Sequence, residues 1–401
     1  MKKTVKPKEK GSVIVLVMIA MVLLFVVGGG LLSIGLQSRL RAIRTTSEIQ
    51  ARCAVDSALV EAVFEMNEKL ETVPWDDTFL PVATGKSLPG CEATYSYTVT
   101  GDIDSGYYVN AVGVSGNSIR RITAGLKLKS PFEAAIFGEK SIVMKNSALV
   151  NWYNYRVGEK DLQIGTNSTD AGAIQLGNGV TVNGDIVVGA GSDPDVVIDG
   201  TWATITGDTY SMTEFYESPS VTVPQQLQVL PSGGTITNNT TITGPGKYDG
   251  INLGNSKLIT IDGPVSLYIV GDIILKNSAE LQVVDAVMNP DAYLTLYLGG
   301  EVEVKNSGNI NNLSEDASKF QLYGLDSCQS IVLKNSSDFH GTIYAPNADV
   351  EMRNSADFYG AVIAESFVQH NSAEFNYDAS LRDVDTTDWG VYFIVENWSE
   401  E

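Results

Sequence analysis

The sequence predicts a mainly β chain: a right-handed parallel β-helix behind a long N-terminal helix and a small antiparallel sheet. Three observations point there. An uncharged apolar run lies near the start, a stretch of two-residue alternation follows, and a short Asn-Ser motif then recurs at irregular intervals. Glycine is abundant at 38 residues and charged residues make up only 19%, a mixture that suits short strands and tight turns better than a helical bundle.

The apolar run comes first. Ser12 to Leu36 spans 25 positions without a charge, and about 20 apolar residues suffice to cross a bilayer. The run is too long for a signal-peptide core, and no small-residue cleavage site follows it. Residues 12–36 are therefore expected to contact membrane lipid in a single pass. Five lysines precede the span (Lys2, Lys3, Lys6, Lys8, Lys10) and three arginines follow it (Arg39, Arg41, Arg44). The balance keeps the N-terminus cytoplasmic and the body extracellular or periplasmic. Beyond the span, Val55, Leu59, Ala62, Met66 and Leu70 recur at helical spacing with glutamates between them, and no proline intervenes before Pro74. One continuous helix over 12–71 would be about 90 Å long.

Residues 72–130 change period. Pro74, Pro81, Gly85, Pro89 and Gly90 read as a loop. Alternation over 93–99, 107–114 and 119–128 then predicts three strands of an antiparallel meander lying on the helix.

From 131 to 380 the chain is repetitive. Lys-Asn-Ser occurs at 145–147, 276–278, 305–307 and 334–336, with variants at 254–256, 353–355 and 370–372. Residues 338–345 and 357–364 are nearly copies of each other. Units of about 20 residues that cannot bury an apolar face alone must stack. Ile331, Leu333, Ile343, Val350, Met352, Val362 and Val368 are the expected interior. Asn146, Asn255, Asn277, Asn306, Asn335, Asn354 and Asn371 are expected at structural turns, because asparagine tolerates left-handed backbone and can form amide ladders. Residues 381–401 are read as a closing strand and cap of the stack, with Trp389, Phe393 and Trp398 either forming part of that cap or packing along the flank.

Residues 1–11 form a Lys-rich leader, and Lys10-Gly11-Ser12-Val13-Ile14-Val15-Leu16 resembles the PilX-like N-terminal segment of type IV minor pilins and pseudopilins. That resemblance implies a prepilin peptidase cutting between Gly11 and Ser12, other pilin or pseudopilin subunits as partners, and a small sheet covering the amphipathic half-helix. Major pilins carry a glutamate five residues into the mature chain. Leu16 stands there instead, so a tip or accessory subunit is implied rather than a shaft subunit. The segments 164–169, 171–176, 182–189, 341–348 and 391–398 look like the β-helical domain found behind such helices.

Net charge is −21, yet residues 1–52 hold nine Lys/Arg against Glu9 and Glu48, leaving the remainder at −28. A body this acidic should repel nucleic acid and polyanionic polysaccharide. Cys53, Cys91 and Cys328 are too few for a disulfide scaffold and fit no zinc spacing. Asp285, Asp291, Glu301 and Glu303 lie in neighbouring repeat sequence, but no nucleophile elbow, phosphate loop or histidine-based metal pattern occurs. No cofactor is expected. Calcium is the one ion the carboxylates and loop carbonyls suit, without EF-hand spacing behind it. The expected role is non-enzymatic surface presentation towards an unidentified extracellular ligand, for adhesion or structure. A polysaccharide lyase or hydrolase on the same scaffold is the alternative.

Overall fold

The computed structural model describes residues 12–70, 75–103, 105–154, 162–334, 338–353, 357–370, 373–384, 386 and 390–400. Two compact units divide the chain: Met1–Leu128 with Val391–Glu401, and Lys129–Gly390.

In the first unit one α-helix runs from Ser12 to Leu70. It is long and apolar enough to cross a membrane, and the apolar window is unburied. Its second half is amphipathic in a particular way. Ala51, Ala54, Ala58 and Ala62 are fully buried together with Val55 and Met66. Small residues on this face let the backbone approach the sheet closely. At Gly113 a Cβ would overlap the Ala51 carbonyl and come within 2.5 Å of the Val55 nitrogen, so only glycine fits.

The sheet beneath is larger than the meander the alternation predicts. Its order is Val82–Ser87, Thr94–Asp102, Gly106–Ser115, Ser118–Lys129 and Tyr392–Glu400. The first strand falls where the prolines and glycines predict a loop. It pairs antiparallel with Thr94–Asp102 through a bulge between Ala83 and Lys86. Gly85, at φ 62°, sits inside the irregularity, so the glycine marks a bulged edge rather than the absence of a strand. The last strand is a second correction. Tyr392–Glu400 pairs in this sheet beside Ser118–Lys129 rather than in the sheets of the repeats. Phe393 is 2% exposed and packs its ring 5.2 Å from Tyr107 and 5.8 Å from Trp75. Its backbone is held by one helix side chain: the Phe393 N–H donates to Asn67 Oδ1 at 2.6 Å, and Asn67 Nδ2 donates to the Phe393 carbonyl at 3.2 Å. Trp398 is exposed, and Trp389 lies outside the described residues.

The second unit is built from parallel strands stacked in register. One interior column reads Ile251, Ile273, Val302, Ile331, Val350, Phe367, Ile142, Ile174 and Ile198, each paired with the next. The order is informative. The first rung, Ile136–Met144 with Leu149–Tyr153, lies in mid-stack between the late strands Phe358–Gln369 and Glu374–Asp378 and the early strands Gln163–Thr166 and Ile174–Leu176. From there the chain climbs to Thr209–Ser211. It then resumes at Thr235–Ile236, which pairs with Gly250–Ile251 at the far end of the column.

Residues 212–234 make that return along one outer face, and they explain why outward side chains are buried there. Tyr268, Tyr297, Tyr323, Tyr344, Ile363 and Phe137 form an outward column. The Tyr216 ring lies 4.6 Å from Phe137, and Asn167 clasps the Tyr216 backbone through Oδ1 at 3.0 Å and Nδ2 at 2.7 Å. Farther along, Tyr344 donates to the Pro219 carbonyl at 2.8 Å, while Val221, Val223 and Leu227 are buried.

Of the expected interior residues, Ile331, Leu333, Ile343, Val350, Met352 and Val362 are buried. Val368 is not, because its strand turns Phe367 and Gln369 inward. The two near-copies stack directly, with Phe339 on Phe358 and Gly341 on Gly360.

Candidate functional site: the apolar stem and the charged corner of the parallel unit

On the stem, side chains from Val13 to Leu36 are exposed on every side of the helix: Leu16 is 66% and Phe25 81% exposed. An apolar surface all around a helix requires an apolar solvent or other chains. Ser12 begins the helix, whereas Gly11, the other half of the expected cleavage junction, lies outside the described residues.

In the parallel unit the recurring corners have one geometry. Asn146 and Ser147 sit at φ 39° and 59°, Asn255 and Ser256 at 59° and 58°, Asn277 and Ser278 at 55° and 59°, and Asn306 and Ser307 at 52° and 62°. Two consecutive left-handed residues turn the chain from one face to the next, and asparagine bears this at lower cost than most residues. The corners stack. Ser256 N–H donates to the Asn277 carbonyl at 2.9 Å and Ser278 N–H to the Asn306 carbonyl at 3.2 Å. Asn277 and Asn306 point Nδ2 at the Oδ1 of the preceding corner, at 3.5 and 3.4 Å. Asn335, Asn354 and Asn371 lie outside the described residues.

The residue before each corner escapes a reading that attends only to asparagine. Lys276 pairs in register with Lys305. The register of Val302 on Ile331 puts Lys334 next in line. Arg353 N–H bonds the Leu333 carbonyl, His370 N–H the Met352 carbonyl and Lys145 N–H the Gln369 carbonyl, at 2.9 to 3.0 Å. The result is one basic column of Lys276, Lys305, Lys334, Arg353, His370 and Lys145 down an edge of the stack. The signal was present in the sequence: every one of those positions immediately precedes Asn-Ser.

Carboxylates in the next column neutralise part of it. Glu303 pairs with Lys305 at 2.5 Å, and Glu351 pairs with Arg353 and with His370 Nε2, the latter at 2.6 Å. The Arg353 hydrogen bond holds the Glu351 carboxyl below the usual range, which keeps it ionised and unsuited to donating a proton. Lys145 Nζ lies 3.5 Å from His370 Nδ1. Glu301, Glu303, Ser330, Val332, Lys334 and Arg353 border a depression of about 220 Å3 on this face.

Asp285 and Asp291 do not join Glu301 and Glu303. Asp285 Oδ1 accepts the Val287 N–H in a turn, and Asp291 follows in the same turn. Among the described residues no group of three or more His, Cys, Asp or Glu is arranged to hold a metal ion. His340 stacks flat on Tyr359 at 4.4 Å, and burial pushes its pKa down.

The cysteines are free. Burial pushes the Cys328 thiol up to about 12 and the Tyr297 phenol likewise to about 12. An alkylating reagent at pH 8 should therefore modify exposed Cys53 and part-exposed Cys91 and spare Cys328 until the protein unfolds, as peptide mapping will read. Both acids ionise more readily in the unfolded chain. Their contribution is intact below the ordinary thiol and phenol range and is lost as pH rises towards 12, so the melting temperature of the parallel unit should fall over that window.

A model of a domain family of unknown function (DUF7305) matches residues 207–384. No curated protein matches the chain. Among solved structures, the competence-associated pilin ComZ from Thermus thermophilus is similar at 13% identity and a TM-score of 0.23, covering 89% of this chain and 98% of that one. A glycosylated ice-binding protein (LeIBP) from an Arctic yeast is similar at 14% identity and a TM-score of 0.32, covering 61% and 90%. An ice-binding protein from an Antarctic Flavobacteriaceae bacterium gives 10% and 0.25, covering 61% and 80%. Likenesses of this extent carry no assignment of fold or ligand.

Proposed function

We propose that this chain is a non-enzymatic, membrane-anchored surface protein, a minor pilin-like tip or accessory subunit of a type IV pilus or pseudopilus. It presents a right-handed parallel β-helix for adhesion or structure, with the N-terminus cytoplasmic and the body outside. One observation carries this reading. A single 59-residue helix is bare and apolar in its first half and buried beneath an antiparallel sheet in its second. Such a division lets one element act both as membrane anchor and as domain core. Parallel strands returning in register support the β-helix, and the strong right-handed bias of parallel crossovers supports its hand. The Asn-Ser corners then serve as structural turns. Leu16 in place of the shaft-subunit glutamate supports a tip or accessory position, since a bare amine in an apolar fibre core would be costly.

A carbohydrate lyase or hydrolase is the second reading, and the charged depression is the observation on its side. The pairing of Glu303 and Glu351 with neighbouring cations weighs against it, because a catalytic acid needs a raised pKa. Mass spectrometry of the mature N-terminus, with and without a prepilin peptidase, tests the main proposal. A chain beginning at Ser12 only when the peptidase is present is the expected result. An uncut chain in both backgrounds sinks the pilin reading and leaves an anchored β-helix.

A further inference from the structure

We infer that the basic column is a docking rail for a linear, carboxylate-bearing polysaccharide lying along the stack axis, a local exception to the repulsion of polyanionic polysaccharide expected from the body's net charge. Placement is the first ground. Residues 129–390 hold 13 Lys/Arg against 33 Asp/Glu. Five of those 13, with His370, fall into one line, although nothing in the packing of the interior requires it. The Lys276 stem lies along the rail: it runs over Gly254, with Cγ and Cε 3.4 and 3.6 Å from where a Cβ would stand. Successive rungs are about 4.8 Å apart, so the column presents charge at regular intervals over five steps.

Charge arithmetic along the rail selects the occupant. Lys305, Arg353 and His370 are paired with Glu303 or Glu351. Lys276 and Lys334 have no carboxylate partner among the described residues, and Lys145 contacts only the His370 ring. The uncompensated cations are thus spaced along the column, a pattern suited to a chain of lower charge density than a nucleic acid. A densely charged nucleic acid would gain little from it and be repelled by the remaining surface. The neighbouring outward column of Ile274, Glu303, Val332, Glu351, Val368 and Val143 offers no aromatic platform for bases. The amide ladder of Asn255, Asn277 and Asn306 flanks the lysines and offers both donors and acceptors to sugar hydroxyls. This names the ligand class for the surface-presentation reading and rests on that reading only for where the polymer is met.

The test uses the full chain in neutral detergent, with polygalacturonate as probe and dextran and double-stranded DNA as comparisons. Polygalacturonate should bind, and its affinity should fall as salt rises; dextran should not bind, and DNA should bind more weakly. K145Q/K276Q/K334Q should lose at least about tenfold in affinity through lost charge contacts. K247Q/K257Q/K319Q, with the same change in net charge, should stay within about twofold. Carbodiimide coupling of bound polymer to the wild-type protein provides a route that needs no variant: amide bonds should map to Lys276, Lys334 and Lys145. Equal binding of dextran or DNA, coupling spread over other lysines, or no binding overturns the inference. None of these outcomes depends on whether Gly11-Ser12 is cut, so the anchor proposal stands or falls separately.

Discussion

Phe358→Ala should destabilise the parallel unit by about 3–5 kcal/mol, measured by denaturant unfolding. Phe358 is fully buried, with the Phe375 ring 4.6 Å away at 10° and Phe339 4.9 Å away on the other side. Both neighbours are fixed by strand register, so neither can slide into the space left behind. The cavity would persist, and a persistent cavity brings a large-to-small substitution to the upper end of its range. Val368→Ala, ten residues on and facing outward, should cost less than about 1 kcal/mol. Equal losses at the two positions would contradict the inward and outward assignment of that strand.

Excision of residues 12–36 should move the protein from the membrane fraction to the soluble one without loss of either folded unit. Sixteen Val, Leu, Ile and Phe residues lie in that stretch. At a few tenths of a kcal/mol each they favour insertion by roughly 5–10 kcal/mol before the glycines are discounted. The buried stripe from Ala51 to Met66 lies wholly outside the excision, which is why near-UV circular dichroism should survive. An excised chain that still pellets with membranes after an alkaline wash would show that another segment holds it there.

Much of the architecture was legible because two signals are strong in any single sequence. An uncharged run such as Val13 to Leu36 has few alternatives to an apolar environment. A tripeptide repeated as often as Lys-Asn-Ser marks a recurring backbone geometry, and the positive φ angles at Asn255, Asn277 and Asn306 show which geometry it is. Legibility failed where a long-range partner decides. Val82–Ser87 carries loop-like composition and becomes a strand because Thr94–Asp102 offers it an edge. Val391 to Trp398 has strand alternation, but nothing local says which sheet it joins; Asn67 and Tyr107 settle that from more than 280 residues away. Return of residues 212–234 along the tyrosine column is invisible for the same reason. The basic column was half legible: six cationic or titratable residues precede Asn-Ser in the sequence, yet only the registers put them in line.

The position of the first rung has a consequence for when this protein can become folded. Lys140 and Lys145 meet Glu365 and His370, 225 residues later in the chain, and Asn67 waits 326 residues for Phe393. A chain synthesised from its N-terminus would deliver the stem helix and early rungs long before their partners. Both units would stay open, with unpaired strand edges and uncovered apolar faces, until the last tenth of these residues arrives. Chain order thereby favours completion after synthesis over folding during it. It also makes any product truncated before residue 358 defective in both units at once, because the partners of the first rung, Phe358–Gln369 and Glu374–Asp378, and the closing strand Tyr392–Glu400 would all be missing.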